Sequence, residues 1–441
     1  MSGGTSRSGL NKRIVVASTL GTVVEYYDFT LYATSSALVF NKIFFPSFDP
    51  FVGLLASFST FFVGYCARPL GGILFGHFGD RTGRKTMLML TMLIMGLGTF
   101  AIGLIPDYNT IGIAAPILLV VLRALQGIGI GGEYGGGVLM TIEHSAERSR
   151  GLAGSLVHIG VPAGFLLPIF LLGLLSGLSE EAFLSWGWRV PFLLSLLLVA
   201  VGLYIRSSVE ESPDFEAQRQ AQMEKKKTAL PSSEVLRHHW REVLLAIGAK
   251  IAESGLFNIY AVFLISYAVT RLGMARQQAL DVVLIACLVE CFTLPFFGWL
   301  SDRIGRPLVY VSGAIFQAML AVVFFQIADW NGVLGLGLAA AAGIGLGHGS
   351  MYGAQAAFFA GLFPTRIRYS GLSLIQQVGP ILGGGLSPLI GAALLARGGG
   401  DPTQVTVYMI GIATFSAACA IALAVLSTQR ARAVDPATVS G

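Results

Sequence analysis

The chain has 441 residues, of which 54% are hydrophobic and only 12% are charged, and its mean hydropathy is +0.71. A soluble domain carries about 25% charged residues, so this composition excludes an ordinary water-soluble protein and indicates a chain solvated by lipid. The net charge of +5 does not indicate nucleic-acid binding, because the basic residues are scattered among short loops instead of being gathered on one face.

Apolar runs long enough to cross a membrane follow one another along the chain in two groups of six. A hydrocarbon core of about 30 Å requires about 20 apolar residues per helix. The first group lies at 14–40, 51–76, 86–105, 113–140, 150–177 and 188–206, and the second at 241–270, 278–300, 308–328, 332–360, 370–396 and 404–427. We therefore predict an all-α membrane protein with twelve transmembrane helices.

A charged, glutamine-rich segment separates the two groups of helices. It contains three consecutive lysines at 225–227 and predicts a cytoplasmic linker. The predicted organisation is a six-helix half at 1–206, the linker at 207–240, a second six-helix half at 241–428 and a cytoplasmic tail at 429–441. The first apolar stretch is too long for a signal-peptide core, so we expect it to remain as the first membrane span.

The distribution of lysine and arginine predicts that both termini are cytoplasmic. With the N-terminus inside, 21 of the 29 basic residues fall on the inner side and 5 on the outer side. The other three, Arg68, Arg123 and Lys250, fall within spans. We expect a monomer in a bacterial inner membrane.

Two loop motifs recur at about half the chain length. The sequence Gly-His-Phe-Gly-Asp-Arg-Thr-Gly-Arg-Lys at 76–85 is echoed by Gly-Trp-Leu-Ser-Asp-Arg-Ile-Gly-Arg at 298–306, which separates Asp80 and Asp302 by 222 residues. The Arg-Ser-Arg-Gly segment at 148–151 is echoed around 366–371 at an offset of 218. A duplicated six-helix unit explains both offsets and predicts two pseudo-symmetric halves.

These loops resemble the major facilitator superfamily, whose signature is Gly-x-x-x-Asp-Arg-x-Gly-Arg-Lys between helices 2 and 3. The stretches at 25–32, 68–72, 123–133 and 364–371 resemble its metabolite:proton symporter branch, which includes shikimate, α-ketoglutarate, citrate and proline/betaine carriers. The resemblance implies alternating access and uptake of a small organic acid with a proton, driven by the proton gradient without a cofactor. The second signature loop departs from the pattern at Ser301 and Pro307, and the resemblance does not identify the substrate.

Two carboxylates on the first helix are the candidates for proton coupling. Glu25 and Asp28 are spaced i,i+3, which places them on one helix face, and they lie near mid-membrane, where a charge is costly and usually faces a cavity or a partner. Asp28 is the first choice and Glu25 the second. The alternative is a fixed ion pair with a neighbouring helix.

Arg123 and Gln126 share a face of the fourth helix. An arginine fork matches a carboxylate, so Arg123 is either the anchor of an anionic substrate or the counter-ion of Asp28. Tyr27 and Tyr32 are candidates for the cavity wall. The glycines that follow Gln126 also favour close helix contact.

The seventh helix repeats the charged pair of the first, because Lys250 and Glu253 lie 225 residues after Glu25 and Asp28. Lys250 is either a second substrate anchor or simply neutralised by Glu253. Further candidates for substrate binding on the helices of the second half are Asn258, Tyr352, Gln355 and Gln376. His348 suits either a proton relay or packing.

Another set of charged residues suits a gate. Arg68 and Glu290 each precede a signature aspartate by 12 residues, which suggests a contact across the halves or a part in gating. Near the predicted inner ends of the helices lie Asp80, Arg81, Arg84, Glu133, Glu143, Arg148, Asp302, Arg303 and Arg306. The alternative is that these bases only hold the loops inside.

The same candidate residues are compatible with functions other than proton symport. A static pair of Asp28 and Arg123 would suit a proton-independent facilitator or exchanger. A zwitterionic osmolyte would use Arg123 together with Glu25 or Glu253, which makes Glu253 a further candidate for substrate binding. A sugar acid is another alternative. A non-transporting sensor lacks support because the tails hold no output domain. The chain has no nucleotide-binding loop, metal cluster or nucleophile–base set, so we expect neither an enzyme nor a metal site.

Overall fold

The computed structural model describes residues 12–82, 84–131, 134–143, 145–207, 235 and 237–434. Within these ranges the chain is helical and contains no strand. The helices of the N-terminal half are α1 (Lys12–Leu38), α2 (Pro50–Thr82), α3 (Arg84–Leu104), α4 (Ala114–Gly131 and Tyr134–Glu143), α5 (Arg150–His158 and Gly160–Leu175) and α6 (Arg189–Ser207). Most of the predicted linker, and Glu133, lie outside the described residues.

The C-terminal half repeats this set of six helices. They are α7 (Trp240–Asn258, Ile259–Phe263 and Leu264–Thr270), α8 (Arg276–Ile304), α9 (Arg306–Asp329), α10 (Val333–Ala340, Ala341–His348 and Gly349–Ala360), α11 (Thr365–Pro380, Ile381–Gly385 and Leu386–Arg397) and α12 (Thr403–Val434). Short helical segments at Phe40–Ile43, Tyr108–Ile111, Glu147–Ser149, Glu180–Ala182 and Phe183–Gly187 lie in the connections.

The predicted twelve-helix membrane fold is confirmed. In the described ranges, ten helical segments are long and apolar enough to cross a membrane, and Met89–Leu104 is a shorter apolar segment of α3. With α1, which holds Glu25 and Asp28, the total is twelve. Large apolar side chains such as Ile73 and Phe292 lie exposed on the outside of the bundle, as lipid-facing side chains should.

The helix contacts repeat between the halves. The pairs α1–α5, α2–α4 and α3–α6 pack together in the first half, and the equivalent pairs α7–α11, α8–α10 and α9–α12 pack together in the second. The halves meet where α5 packs on α8 and where α2 packs on α11, which are again equivalent contacts. This arrangement is the pseudo-symmetry that the repeated loops predicted.

Close backbone contact between α2 and α4 depends on glycine. A Cβ atom on Gly127 would overlap the carbonyl oxygen of Gly64, and one on Gly131 would overlap that of Arg68. Small residues allow helix backbones to approach in this way within a bilayer. The packing brings α4 against the part of α2 that carries Arg68.

Helix α7 lies deepest in the bundle. Its most apolar window is 94% buried, against 39% for the corresponding window of α12. A π-helical turn interrupts α7, α10 and α11 at Ile259–Phe263, Ala341–His348 and Ile381–Gly385, and such turns occur often at functional sites. Thus α7 and the π-helical part of α10 bring polar side chains to the centre of the bundle.

Candidate functional site

A cavity lies at the centre of the bundle, between the two halves. The residues that line it are Glu25, Tyr26, Phe29, Tyr65, Arg68, Ile130, Val161, Lys250, Glu253, Ser254, Phe257, Asn258, His348, Tyr352, Gln376, Gln377 and Pro380. Six residues predicted to bind a substrate or a proton lie at this cavity: Glu25, Lys250, Glu253, Asn258, Tyr352 and Gln376. Its wall carries charges of both signs.

The C-terminal wall of the cavity holds a chain of ionisable side chains. The Lys250 Nζ atom donates to Glu253 Oε2 at 2.7 Å and to Gln355 Oε1 at 3.0 Å. The other carboxylate oxygen of Glu253, Oε1, lies 3.0 Å from His348 Nε2, and His348 Nδ1 contacts Glu290 Oε1. All five side chains are buried. Lys250 and Glu253 therefore neutralise each other directly, and the chain of ionisable groups continues to His348 and Glu290.

Aromatic rings stack beside this chain. The ring of Tyr352 lies 3.8 Å from that of His158 on α5 and 4.9 Å from that of His348, both nearly parallel to it. The ring of Phe257 packs on His348, with the two ring centroids 4.4 Å apart. The stack fixes the plane of the His348 ring and links α10 to the N-terminal half.

The N-terminal wall holds its cation in a different way. The Arg68 guanidinium carbon lies 4.3 Å from the centroid of the Tyr65 ring and 4.8 Å from that of Phe29, which are cation–π distances. Across the cavity, Asn258 Nδ2 lies 3.4 Å from the Tyr65 hydroxyl. The Arg68 Nε atom has no hydrogen-bond partner among the described residues, so Arg68 presents a cation to the cavity.

Arg123 lies behind this wall, outside the cavity lining. Its guanidinium carbon is 4.2 Å, 4.9 Å and 5.1 Å from the ring centroids of Tyr32, Phe29 and Phe61. NH1 donates to Gln126 Oε1 at 3.2 Å, whereas Nε and NH2 have no hydrogen-bond partner in the part of the chain that the structure describes. Of the three rings only Phe29 lines the cavity, and neither Arg123 nor Gln126 is among the residues that line it.

Asp28 lies with Arg123 behind the wall. It is buried and lies beside Thr99 and Arg123, and Gln126 Nε2 donates to the same Thr99 hydroxyl at 2.7 Å. No ion pair within 4 Å joins Asp28 to Arg123 among the described side chains. The structure therefore places Asp28 and Arg123 in one polar group, but the two side chains do not form a direct ion pair.

The two tyrosines of α1 that were predicted to wall the cavity have other contacts. The Tyr27 hydroxyl donates to the Pro191 carbonyl of α6 at 2.7 Å, and the Tyr32 hydroxyl donates to Thr60 Oγ1 at 2.6 Å. Tyr27 turns away because consecutive residues of a helix point about 100° apart and its neighbour Tyr26 faces the cavity. Gln355 likewise lies behind the lining and holds Lys250.

The predicted contact between Arg68 and Glu290 does not form. Arg68 lies on aromatic rings of its own half, and Glu290 is bound to His348 of its own half. Residues at equivalent positions of two halves need not face each other, so the shared spacing does not imply a contact.

The halves are joined on the side where α1 begins and α12 ends, called here the termini side. Asp302 accepts hydrogen bonds from the backbone N–H groups of Gly151 at 2.8 Å and Leu152 at 2.9 Å, at the start of α5. Arg306 NH2 contacts Asp302 at 3.1 Å and donates to the Glu147 carbonyl at 2.6 Å. The acid of the second signature loop thus caps a helix of the other half.

A further contact on the termini side joins the ends of α4 and α11. Arg368 NH1 donates to Glu143 Oε1 at 3.1 Å, and deeper in the bundle Gln377 Nε2 donates to the Gly131 carbonyl at 2.9 Å. Glu143 therefore has a partner in the other half, as expected for a gate. Arg148 is exposed, and the Arg303 guanidinium carbon lies 4.2 Å from the ring centroid of Trp299 on its own helix. Among the described residues, neither arginine forms an ion pair across the halves. The side chains of Asp80, Arg81 and Arg84, like Glu133, lie outside the described part.

The opposite side of the cavity has a cross-half contact that the sequence did not predict. Glu180 Oε1 accepts from Lys42 Nζ at 2.6 Å, and Oε2 accepts from Arg276 NH2 at 2.6 Å. Glu180 lies between α5 and α6, and Arg276 begins α8. An acidic residue in a connection between helices carries no periodic signal, although the outer arginine at the start of a span could have suggested a partner.

His348, Ser254 and Gln377 also line the cavity without having been predicted to bind substrate. The sequence suggested either a proton relay or packing for His348, but it did not identify the partners of His348, which lie on α7 and α8. Helical spacing relates residues of one helix only, so it could group His348 with Tyr352 and could not group it with Glu290.

Comparisons with known proteins agree with this architecture. The sequence model of the family described as "Sugar (and other) transporter" matches residues 14–243, and that of the Major Facilitator Superfamily matches residues 251–440. The chain is 39% identical to the shikimate transporter of Escherichia coli (strain K12) over 419 residues, 95% of each chain. It is 34% identical to the proline/betaine transporter of Salmonella typhimurium, over 97% of this chain and 86% of the relative.

Solved structures show the same fold. The D-xylose–proton symporter superposes with a TM-score of 0.69 at 15% sequence identity, covering 94% of this chain and 97% of that one. A partially occluded inward-open form of the Escherichia coli xylose transporter also gives a TM-score of 0.69, at 16% identity and over 93% and 96% of the two chains.

Proposed function

The chain belongs to the major facilitator superfamily of membrane transporters, and from that premise we propose that it takes up a small organic acid together with a proton by alternating access. The cavity between the halves carries this proposal, because it holds two buried cations, Arg68 and Lys250, beside neutral hydrogen-bonding groups. The proton gradient is the driving force in this proposal, with no cofactor.

A hydroxylated carboxylic acid fits the chemistry of the cavity wall. Arg68 has an unpartnered nitrogen and can bind a carboxylate. Asn258, whose Oδ1 lacks a partner among the described residues, and Gln376 can hydrogen-bond hydroxyl groups. The 39% identity to a shikimate transporter supports a shikimate-like acid. The preference for an anion depends on the positive charges of Arg68 and Lys250, and Arg123 adds a third positive charge outside the cavity lining.

Asp28 is the proposed proton carrier, with Glu25 as the second candidate. Two nitrogens of Arg123 have no hydrogen-bond partner among the described residues, so an ionised Asp28 has a cation within reach, whereas a protonated Asp28 leaves Arg123 on its aromatic rings. The buried cation therefore has a different partner in each protonation state of Asp28.

Cross-half contacts on both sides of the cavity support alternating access. The Asp302 contacts close the termini side, which we propose is cytoplasmic on the charge distribution, and the Glu180 contacts close the other side. The protein is proposed to act as a monomer in a bacterial inner membrane, since one chain contains the whole cavity.

The decisive experiment is uptake of labelled shikimate into proteoliposomes with an inwardly directed proton gradient. We expect uphill accumulation that collapses when a protonophore is added. Asp28→Asn should abolish accumulation but retain exchange of labelled for unlabelled shikimate, because the permanently neutral side chain mimics one protonation state. A Glu25→Gln variant tests the second candidate in the same assay.

Two outcomes would contradict the proposal, and a third would narrow the set of substrate-binding residues. Accumulation that does not depend on the gradient would indicate a facilitator or exchanger. Uphill uptake of glycine betaine with no response to shikimate would indicate a zwitterion carrier. This is the second candidate function, and it is favoured by the cavity carboxylates Glu25 and Glu253 and by the 34% identity to a proline/betaine transporter. A thermal shift with shikimate that is unchanged in Arg123→Ala would remove Arg123 from substrate binding.

A further inference from the structure

The group formed by Glu253, His348 and Glu290 is not used by the transport cycle proposed above. Each ring nitrogen of His348 faces a carboxylate oxygen, Nε2 facing Glu253 Oε1 at 3.0 Å and Nδ1 facing Glu290 Oε1. All three residues are buried, each with 2% or less of its surface exposed. They come from three different helices, α7, α10 and α8.

Two hydrogen bonds to carboxylates require two protons. An ionised carboxylate only accepts hydrogen bonds, and a neutral imidazole has one N–H group. The second bond therefore requires one additional proton, either on the ring, which makes an imidazolium, or on one of the two carboxyl groups. The geometry of the group thus corresponds to a state that has bound a proton.

The charges around the group agree with this proton count. With an imidazolium, the two cations Lys250 and His348 balance the two carboxylates Glu253 and Glu290, and a buried cluster of zero net charge avoids the large cost of an uncompensated ion. Loss of the proton would leave one net negative charge. The other titratable groups near the cluster are His158 on α5, Arg68 and Tyr65 on α2, Glu25 and Tyr26 on α1, Cys287 and Cys291 on α8, Tyr310 on α9 and Tyr352 on α10.

The cluster is also connected to the cavity. Glu253 and His348 line the cavity, and Lys250 donates to the second oxygen of Glu253. A substrate carboxylate that binds Lys250 competes with Glu253 for the ammonium group and brings another negative charge to the cluster. Anion binding therefore favours the protonated cluster, and departure of the anion favours release of the proton.

We propose that Glu253, His348 and Glu290 form a second proton-binding site, in the C-terminal half, whose proton is coupled to the anion through Lys250. In its link to an anion this inference rests on the function proposed above, but the site itself can be tested without transport. The cavity is the path by which protons reach it.

The test is solid-state NMR of the protein labelled with ¹⁵N on its histidine rings and reconstituted in liposomes, together with infrared spectra of the same samples. We expect one histidine with both ring nitrogens protonated, which becomes neutral at alkaline pH and is absent in His348→Gln. The matched control is His158→Gln, which removes the other histidine of the Tyr352 stack and should leave this signal in place. If the proton lies on a carboxyl group instead, a carboxylic-acid band should be present and should disappear in Glu290→Gln or Glu253→Gln.

A neutral His348 at every pH, together with no carboxylic-acid band that these variants remove, would overturn the inference. The coupling is tested by adding shikimate to weakly buffered Asp28→Asn protein and following proton uptake with a pH-indicator dye. We expect uptake that is lost in Asp28→Asn/His348→Gln, and equal uptake by the two proteins would overturn the coupling. Failure of shikimate to accumulate in proteoliposomes would count against the proposed function alone, because the NMR result decides the proton site independently.

Discussion

In the N-terminal half the buried cations Arg68 and Arg123 lie on aromatic rings, whereas in the C-terminal half Lys250 lies in a chain of hydrogen bonds to Glu253 and Gln355. The cations themselves are not at equivalent positions, because Lys250 and Glu253 of α7 correspond to Glu25 and Asp28 of α1, and Arg68 corresponds to Glu290. A duplicated unit has thus kept a charged pair in each half and surrounded it with different chemistry.

The two settings suit different tasks. A guanidinium on aromatic faces keeps unpartnered nitrogens and can take up an anionic partner without first leaving another. An ammonium held by a carboxylate can bind an anion only by sharing or exchanging that partner. In the proposed cycle the N-terminal half changes the ion pairing of its arginines, while the C-terminal half keeps Lys250 in its hydrogen-bonded cluster and changes the protonation of that cluster.

The largest effect should follow from removing the cation of the C-terminal cluster. In Lys250→Met the buried Glu253 loses its ammonium partner, and breaking a buried pair in this way typically costs about 3–5 kcal/mol. We expect shikimate uptake to fall by at least about 100-fold and the melting temperature of the purified protein to fall with it. Uptake rates in proteoliposomes and a thermal melt measure the two effects.

The control is the double variant Lys250→Met/Glu253→Gln, which removes both charges of the pair. It should recover most of the lost thermal stability without recovering uptake, because the substrate anchor is still absent. If Lys250→Met alone melts and transports like the unmodified protein, the buried pair of Lys250 and Glu253 does not have the role described.

The helices and the charged pairs were predictable from sequence for physical reasons. Apolar runs of membrane length and the repeated loops define twelve helices in two halves, and spacing along a single helix groups Lys250 with Glu253. The surroundings of Arg123 were not predictable, because Tyr32, Phe61 and Arg123 belong to three helices and no period relates them. The partner of Glu290 was missed for the same reason, since repeat symmetry matched it with Arg68.

A smaller effect should follow from changing the shape of the N-terminal cation while keeping its charge. In Arg123→Lys the planar face on Tyr32, Phe29 and Phe61 and the NH1 bond to Gln126 are lost, and a desolvated cation–π contact contributes about 2 kcal/mol. We expect roughly a tenfold loss of gradient-driven uptake, measured as the initial rate. Wild-type coupling in Arg123→Lys would show that only the charge of Arg123 matters and would weaken the contrast between the halves.

The smallest effect should arise at the contacts by which each half holds the other. Asp302 of the C-terminal half binds two backbone N–H groups of α5, whereas Glu180 of the N-terminal half is 56% exposed and binds the long side chains of Lys42 and Arg276. Exposed ion pairs contribute about 0.2–1 kcal/mol and are screened by salt.

Glu180→Gln should therefore open the opposite side by less than about fivefold, and the difference from the unmodified protein should vanish at high salt. Alkylation of a cysteine introduced at Phe29, on the cavity wall, by a membrane-impermeant reagent measures the opening. Asp302→Asn is the matched comparison, and its larger effect should appear on the termini side and persist in salt, because hydrogen bonds to a charged acceptor contribute about 1.5–3 kcal/mol. A Glu180→Gln effect that equals that of Asp302→Asn, or that salt does not reduce, would mean that the opposite side is held by more than exposed ion pairs.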